Sequence, residues 1–131
     1  MPSAKHKILL IDDDPFLLAM YGRKFMAAGF IVHGAQTAAE GLAEAKRLAL
    51  DIVLLDIMLP DEDGLSVLKK LRRQKETAAL KVCMLSNIGQ SSYREQALIL
   101  GANGYLVKAY CDPSEVVEKV QEIISAPKAK K

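Results

Sequence analysis

Five short apolar runs punctuate the chain, and each gives way to polar or charged residues at its C-terminal end. They are KILLI at 7–11, FIVHGA at 30–35, IVLL at 52–55, KVCML at 81–85 and GYLV at 104–107. Runs of this length predict strands. The unbroken run at 52–55 predicts a strand covered on both faces, whereas the more polar run at 30–35 suits a sheet edge. Between the runs, apolar positions change to helical spacing. Asp14 followed by Pro15 predicts an N-cap and a first-turn proline, opening a helix with Phe16, Leu17, Met20, Phe25 and Ala28 on its apolar stripe. Lys24 interrupts that stripe and Gly29 ends the helix.

The same logic places four more helices. Thr37-Ala-Ala-Glu40 is a capping-box pattern opening a second helix that runs to about Leu48. Leu65, Val67, Leu68 and Leu71 mark a third, whose basic end (Lys69, Lys70, Arg72, Arg73) suits the negative pole of the helix dipole. Ser91-Ser-Tyr-Arg-Glu95 starts a fourth, which Gly101 stops. Asp112-Pro113-Ser-Glu115 caps a fifth, carrying Val116, Val117, Val120, Ile123 and Ile124. Five β–α units in strict alternation, without a repeat or internal linker, predict an α/β fold. Its sheet is parallel, with helices on both faces and right-handed crossovers.

Composition changes this picture little. A chain of 131 residues suits one domain, able to bury roughly two-thirds of its unfolded surface. The formal charge of +2, much of whose surplus lies in Lys128, Lys130 and Lys131, argues against direct nucleic-acid binding. Residues 1–6 and 126–131 read as solvated ends, leaving 7–125 as the ordered domain. No apolar run approaches the roughly 20 residues needed to cross a bilayer and no secretory signal is visible, so the expectation is a cytoplasmic protein with no membrane contact. Cys83 and Cys111 are far apart and outside any CxxC pattern, which predicts reduced thiols. His6 and His33 form no ligand pattern.

The chemistry lies where the strands end. In a parallel sheet all strands exit at one edge, so Asp12-Asp13, Asp56, Ser86-Asn87 and Lys108 become neighbours. Three crowded carboxylates repel one another unless a cation compensates, and oxygen donors on loops suit Mg²⁺. This arrangement poses phosphoryl transfer to a carboxylate. Asp56 is then the nucleophile, and the metal, Ser86 and Lys108 hold the phosphoryl oxygens. No general base is needed, because a carboxylate is already ionised at neutral pH. Taken singly, these residues have plainer readings: Asp14 and Asp112 as helix caps, Ser86 and Lys108 as surface residues. The signal is the joint occurrence, each at the end of a different strand.

The segments ILLIDDDP, LLDIMLPDEDG, MLSN and GANGYLVK together resemble the receiver domain of bacterial two-component response regulators, over essentially the whole ordered length. The resemblance implies a flavodoxin-like, doubly wound sheet of order 2-1-3-4-5 with five helices. It implies that Asp56 is the phosphoacceptor. Asp13, Asp56 and the backbone carbonyl of Met58 are the implied Mg²⁺ ligands, with Asp12 acting through water. Ser86 matches the switch hydroxyl, Lys108 the lysine that pairs with the phosphoryl group, and Tyr105 the switch aromatic, expected to swing inward when Ser86 moves toward the phosphate. The implied function is a phosphorelay signalling switch that catalyses only its own phosphorylation and dephosphorylation. A sensor histidine kinase, a phosphotransfer protein or a small phosphodonor supplies the group. The face formed by the fourth helix, fifth strand and fifth helix then changes its affinity for a downstream protein or output domain, the chain being a monomer or a phosphorylation-dependent dimer.

Two features depart from the family pattern. Ala109 stands where proline usually follows the lysine, which predicts a trans, more mobile loop and a less firmly placed Lys108. Met58 and Ile88, two positions past Asp56 and Ser86, are apolar and unable to orient a hydrolytic water, which predicts slow self-dephosphorylation. A haloacid-dehalogenase-like phosphatase is an alternative, since Asp12-x-Asp14 follows an apolar strand. Pro15 and Phe16 break that motif's continuation, and no later acidic pair follows the fourth strand. A third reading, a module that signals by contact without phosphorylation, rests on Ala109 alone.

Overall fold

The computed structural model describes residues 5–88 and 91–126. The lysine tail and the side chain of Ser91, on which a helix cap is expected, lie outside the described residues. Ten main elements alternate: β1 (Lys7–Ile11), α1 (Pro15–Ala27), β2 (Ile31–Ala35), α2 (Ala38–Arg47), β3 (Ile52–Leu55), α3 (Gly64–Arg73), β4 (Lys81–Ser86), α4 (Ser91–Ile99), β5 (Gly104–Val107) and α5 (Pro113–Ser125). The strands form one parallel sheet of order β2-β1-β3-β4-β5, with β2 at an edge as its polar pattern predicts. No described helix is long and apolar enough to cross a membrane.

Pleating sends alternate side chains of each strand to opposite faces. Leu9, Ile11, Val53, Leu55, Val82 and Met84 pack with α3 and with Ala38, Ala45 and Ala97. Ile8, Leu10, Ile52, Leu54, Cys83 and Leu85 pack instead with α1 and α5. Because β1, β3 and β4 are covered on both faces, truncating any of their leucines to alanine is worth about 2–5 kcal/mol. That rigid centre is what holds the strand ends in place.

The helix caps follow the local sequence with one difference. Asp112 and Glu115 form the complete reciprocal box at 2.9 Å each way. At α2, Thr37 Oγ1 accepts from the Glu40 amide at 3.1 Å, but the Glu40 carboxylate accepts from Gln36, one residue before the cap. The stripe expected on α1 is also shifted. Tyr21, Gly22 and Phe25 are buried, whereas Phe16 is 84% exposed. The Tyr21–Phe25 spacing sets the buried line, and Phe16 lies five residues back, about 140° round the helix. Gly29, at φ +96°, makes the turn after α1, and Gly101, at φ +97°, does the same after α4. The far end of α5 is closed from another element, since Lys81 Nζ donates to the carbonyls of Ile123 and Ile124 at 2.9 and 2.8 Å.

Candidate phosphoacceptor site

The parallel register brings the predicted residues together. Ile11 pairs with Leu55, and the ladder continues one step further, with the Asp56 amide donating to the Ile11 carbonyl at 3.0 Å. Asp12 and Asp56 are therefore adjacent as a consequence of sheet pairing. One carboxylate oxygen from each of Asp12, Asp13 and Asp56 lies within 4.8 Å of the others. Asp12 and Asp56 are buried, while Asp13 is exposed.

Lys108 reaches into this cluster from the far side. β5 ends at Val107, level with Ser86, and the chain then turns through a single 3-10 turn, Lys108–Tyr110, that the sequence pattern does not predict. Lys108 Nζ donates to Asp12 Oδ2 at 2.9 Å and to Asp56 Oδ2 at 3.2 Å, and its side chain is only 11% exposed. No cis peptide bond occurs among the described residues, as alanine at position 109 predicts. The expectation of a loosely placed Lys108 is corrected, however. The ammonium is fixed by two carboxylates, so the residue that follows it is not what holds it.

Burial disfavours the charged form of Asp56 and raises its pKa, against the opposing pull of Lys108. For Lys108, burial is the largest single influence and pulls downward, but the combined hydrogen bonds and charges of Asp12 and Asp56 carry its pKa up. The lysine is thus a fixed cation. Three carboxylates against one ammonium leave an excess of two negative charges, which a divalent cation would neutralise. The donors are all oxygen, the preference of Mg²⁺. The residues present therefore fit such an ion.

Backbone amides hold the remaining oxygens. Asp12 Oδ1 accepts from Asp14 at 2.9 Å and Asp56 Oδ1 from Met58 at 3.3 Å. Asp14 itself is committed to capping α1, accepting from the amides of Phe16 and Leu17 at 2.9 and 3.3 Å. A phosphatase role for an Asp12-x-Asp14 motif is therefore not supported. Behind Asp56 the loop folds back tightly. The Gly64 amide donates to the Ile57 carbonyl at 2.7 Å, and a Cβ added at Gly64 would collide with the Asp56 carbonyl oxygen. Only glycine fits there.

Ser86 and Tyr105 meet at the backbone of one residue, Ile88. Ser86 is fully buried, and its Oγ accepts from the Ile88 amide at 3.2 Å. The Tyr105 hydroxyl donates to the Ile88 carbonyl at 2.6 Å. Its ring is 6% exposed, so in this structure the aromatic already lies inside. Burial raises its pKa, keeping the phenol neutral and able to donate.

Sequence reasoning missed Asp61. Its two carboxylate oxygens accept from the amides of Ala38 and Ala39, at 2.8 and 3.0 Å, tying the β3–α3 loop to the start of α2. Those hydrogen bonds lower its pKa. The partners lie more than twenty residues upstream, so no local pattern reports them. Both cysteines are free thiols, as expected, and burial pushes Cys83 up to about 12.

Comparison with known proteins agrees with this geometry. Residues 8–121 match the family model of the response regulator receiver domain. The chain is 36% identical over 118 residues to the DNA-binding dual master transcriptional regulator RpaA of Synechocystis, covering 90% of this chain and 48% of that protein. It is 36% identical over 125 residues to the transcriptional activator protein IrlR of Burkholderia pseudomallei, covering 95% and 52% respectively. The chain thus spans about half the length of these relatives. Among solved structures, a CheY-like response regulator receiver domain protein from Methanospirillum hungatei superposes with a TM-score of 0.86 at 29% identity, covering 92% of this chain and 94% of that one. The chemotaxis protein CheY4 of Vibrio cholerae also gives 0.86, at 26% identity over 92% and 99%. The chain belongs to the receiver domain family of two-component response regulators, whose general function is that of a phosphoacceptor switch.

Proposed function

We propose that this chain is a Mg²⁺-dependent switch in which Asp56 accepts a phosphoryl group from a histidine kinase, a phosphotransfer protein or a small phosphodonor. The observation that carries the reading is the Lys108 ammonium bridging Asp12 and Asp56 inside a cluster of three carboxylates. Asp13, Asp56 and the Met58 carbonyl would hold the metal, with Asp12 acting through water. When bound, the ion supplies neutralising charge to the phosphoryl oxygens.

In the transfer, one Asp56 carboxylate oxygen attacks phosphorus. A P–O bond forms as the bond to the donor's nitrogen or oxygen breaks, and the donor keeps the electron pair. No proton has to leave Asp56. Lys108 moves from pairing two carboxylates to pairing an oxygen of the new phosphoryl group. The Ser86 hydroxyl accepts from Ile88 through an oxygen lone pair and so keeps its own proton available for the same purpose. Reorienting Ser86 disturbs the backbone at Ile88, whose carbonyl Tyr105 holds, and this carries the change to α4, β5 and α5.

Asp56 is only 6% exposed, so a donor has to approach across the residues around it. Phe16, Met58 and Tyr110 begin or follow the site segments and are 84%, 64% and 78% exposed, which supports docking of a protein donor with an apolar contact face. The reading is tested by intact mass after incubation with acetyl phosphate, with and without Mg²⁺, for the wild type and Asp56→Asn. A metal-dependent gain of one phosphoryl group, absent in Asp56→Asn, supports it. No gain in a folded wild-type protein overturns it.

A further inference from the structure

We propose that Asp61 is a positioning residue for the Mg²⁺ site, stapling the β3–α3 loop to the rigid start of α2 so that the Met58 carbonyl is held where the ion needs it. This rests on the functional reading above. Between Ile57, which is buried, and Gly64, which returns against Asp56, the loop has few anchors. Leu59 packs on the core, while Met58, Pro60 and Asp61 are exposed. Glu62 and Asp63 bond onward into α3, to Ser66 and Lys70. Among the described residues, Asp61 is the loop's one polar tie to a different element.

That tie is more than an ordinary helix cap. Thr37 already serves as the N-cap of α2, accepting from the Glu40 amide. Asp61 takes the two amides that Thr37 leaves, one on each carboxylate oxygen, at 2.8 and 3.0 Å. The positive pole of the helix favours the carboxylate there. α2 is in turn fixed to the sheet by the buried Ala38, Gly41 and Ala45. The loop is therefore referenced to the same frame that aligns Asp12 and Asp56. Asp61 lies three residues past Met58, close enough in sequence that releasing it frees the intervening backbone.

Two caps on one helix provide an internal control. Thr37→Ala removes the helix's own cap and leaves the loop staple; Asp61→Ala removes the staple and leaves the cap. Mg²⁺ binding is measured by isothermal titration calorimetry on the wild type and both variants, alongside thermal unfolding without metal. Both variants are expected to unfold at lower temperature. Only Asp61→Ala is expected to weaken Mg²⁺ binding, by about tenfold, the lower end of what loss of an outer-shell partner does. Asp61→Asn, which keeps one oxygen acceptor, should fall between. Wild-type affinity in Asp61→Ala, or equal weakening in Thr37→Ala, overturns the proposal. Absence of Mg²⁺ binding in the wild type would overturn the parent reading, and this inference with it.

Discussion

The substitution Lys108→Met removes one charge from a site built on charge balance. The ammonium lies 2.9 Å from Asp12 and 3.2 Å from Asp56. With an effective dielectric constant of about 20, each contact is worth roughly 5–6 kcal/mol of Coulomb attraction. Dehydrating the three groups offsets several kcal/mol per ion, so the pair energies overstate the net gain. The relevant quantity is the loss when one partner alone is removed, which leaves two carboxylates of 10% and 7% side-chain exposure without a counter-charge. Such a deletion costs about 3–5 kcal/mol, and the lower figure applies here because a carboxylate is able to take up a proton in response. Methionine preserves the side chain's bulk, so the loss reports charge and not a cavity. Urea unfolding followed by circular dichroism at neutral pH, in EDTA and in saturating Mg²⁺, measures it. Lys108→Met should be about 3 kcal/mol less stable in EDTA, and the gap should narrow when the dication supplies the missing charge. By linkage the variant then binds Mg²⁺ more tightly, by tenfold for every roughly 1.4 kcal/mol of narrowing. A variant as stable as the wild type in EDTA, or a gap that Mg²⁺ leaves unchanged, would refute this account.

Two further outcomes are expected. Burial raises the pKa of Asp56, so its contribution to stability is present below its unfolded-state pKa and is lost as pH rises through the higher folded value. Without metal, Asp56→Asn should therefore be more stable than the wild type at neutral pH, with the advantage shrinking as the pH falls through the acid range, as chemical unfolding at stepped pH would show. Met58→Asn combined with Ile88→Glu replaces the two apolar side chains read as unable to orient a hydrolytic water, and decay of the phosphorylated protein should accelerate by at least about tenfold; an unchanged decay rate rules out these residues as the cause of a long lifetime.

What could be read in advance divides by the range of the interaction. The strands were legible because their apolar runs are short and separated, and the cluster was legible because parallel pairing sends every strand end to one edge. Asp12, Asp56 and Lys108 meet across a sequence separation of 96 residues, yet topology alone puts them together. The grip on Lys108 was not legible. It comes from two acids just past the ends of other strands, whereas the residue next to it in sequence, Ala109, suggested looseness. Asp61 was hidden for the same reason, since its partners are the first amides of a helix ending before β3 begins. The need for glycine at position 64 was hidden as well, since it comes from the Asp56 carbonyl oxygen against it. The phase of α1 failed differently. Phe16 satisfied the apolar pattern, but it lies off the line that Tyr21 and Phe25 set against the sheet.

The distribution of burial also bears on where the proposed switch would be read out. The central strands are enclosed on both faces and have no slack, so a new group at Asp56 cannot be accommodated by moving them. α4 is anchored differently. Among its described side chains only Ala97 is fully buried, while Leu98 and Ile99 are 48% and 83% exposed. Its C-terminal turn is clamped by Arg72, whose guanidinium donates to the Gly101 carbonyl at 2.8 Å and to the Leu80 carbonyl at 2.7 Å. The chain leads to α4 by way of Ile88, whose amide donates to Ser86 and whose carbonyl accepts from Tyr105. A helix with one fully buried residue among its described side chains opposes displacement less than an element packed across the sheet. The bonds that a phosphoryl group would compete for lie at the other approach to the helix, at Ile88. In the proposed switch, chemistry at Asp56 would thus reach the surface through Ser86, Ile88 and Tyr105, since the central strands are packed on both faces.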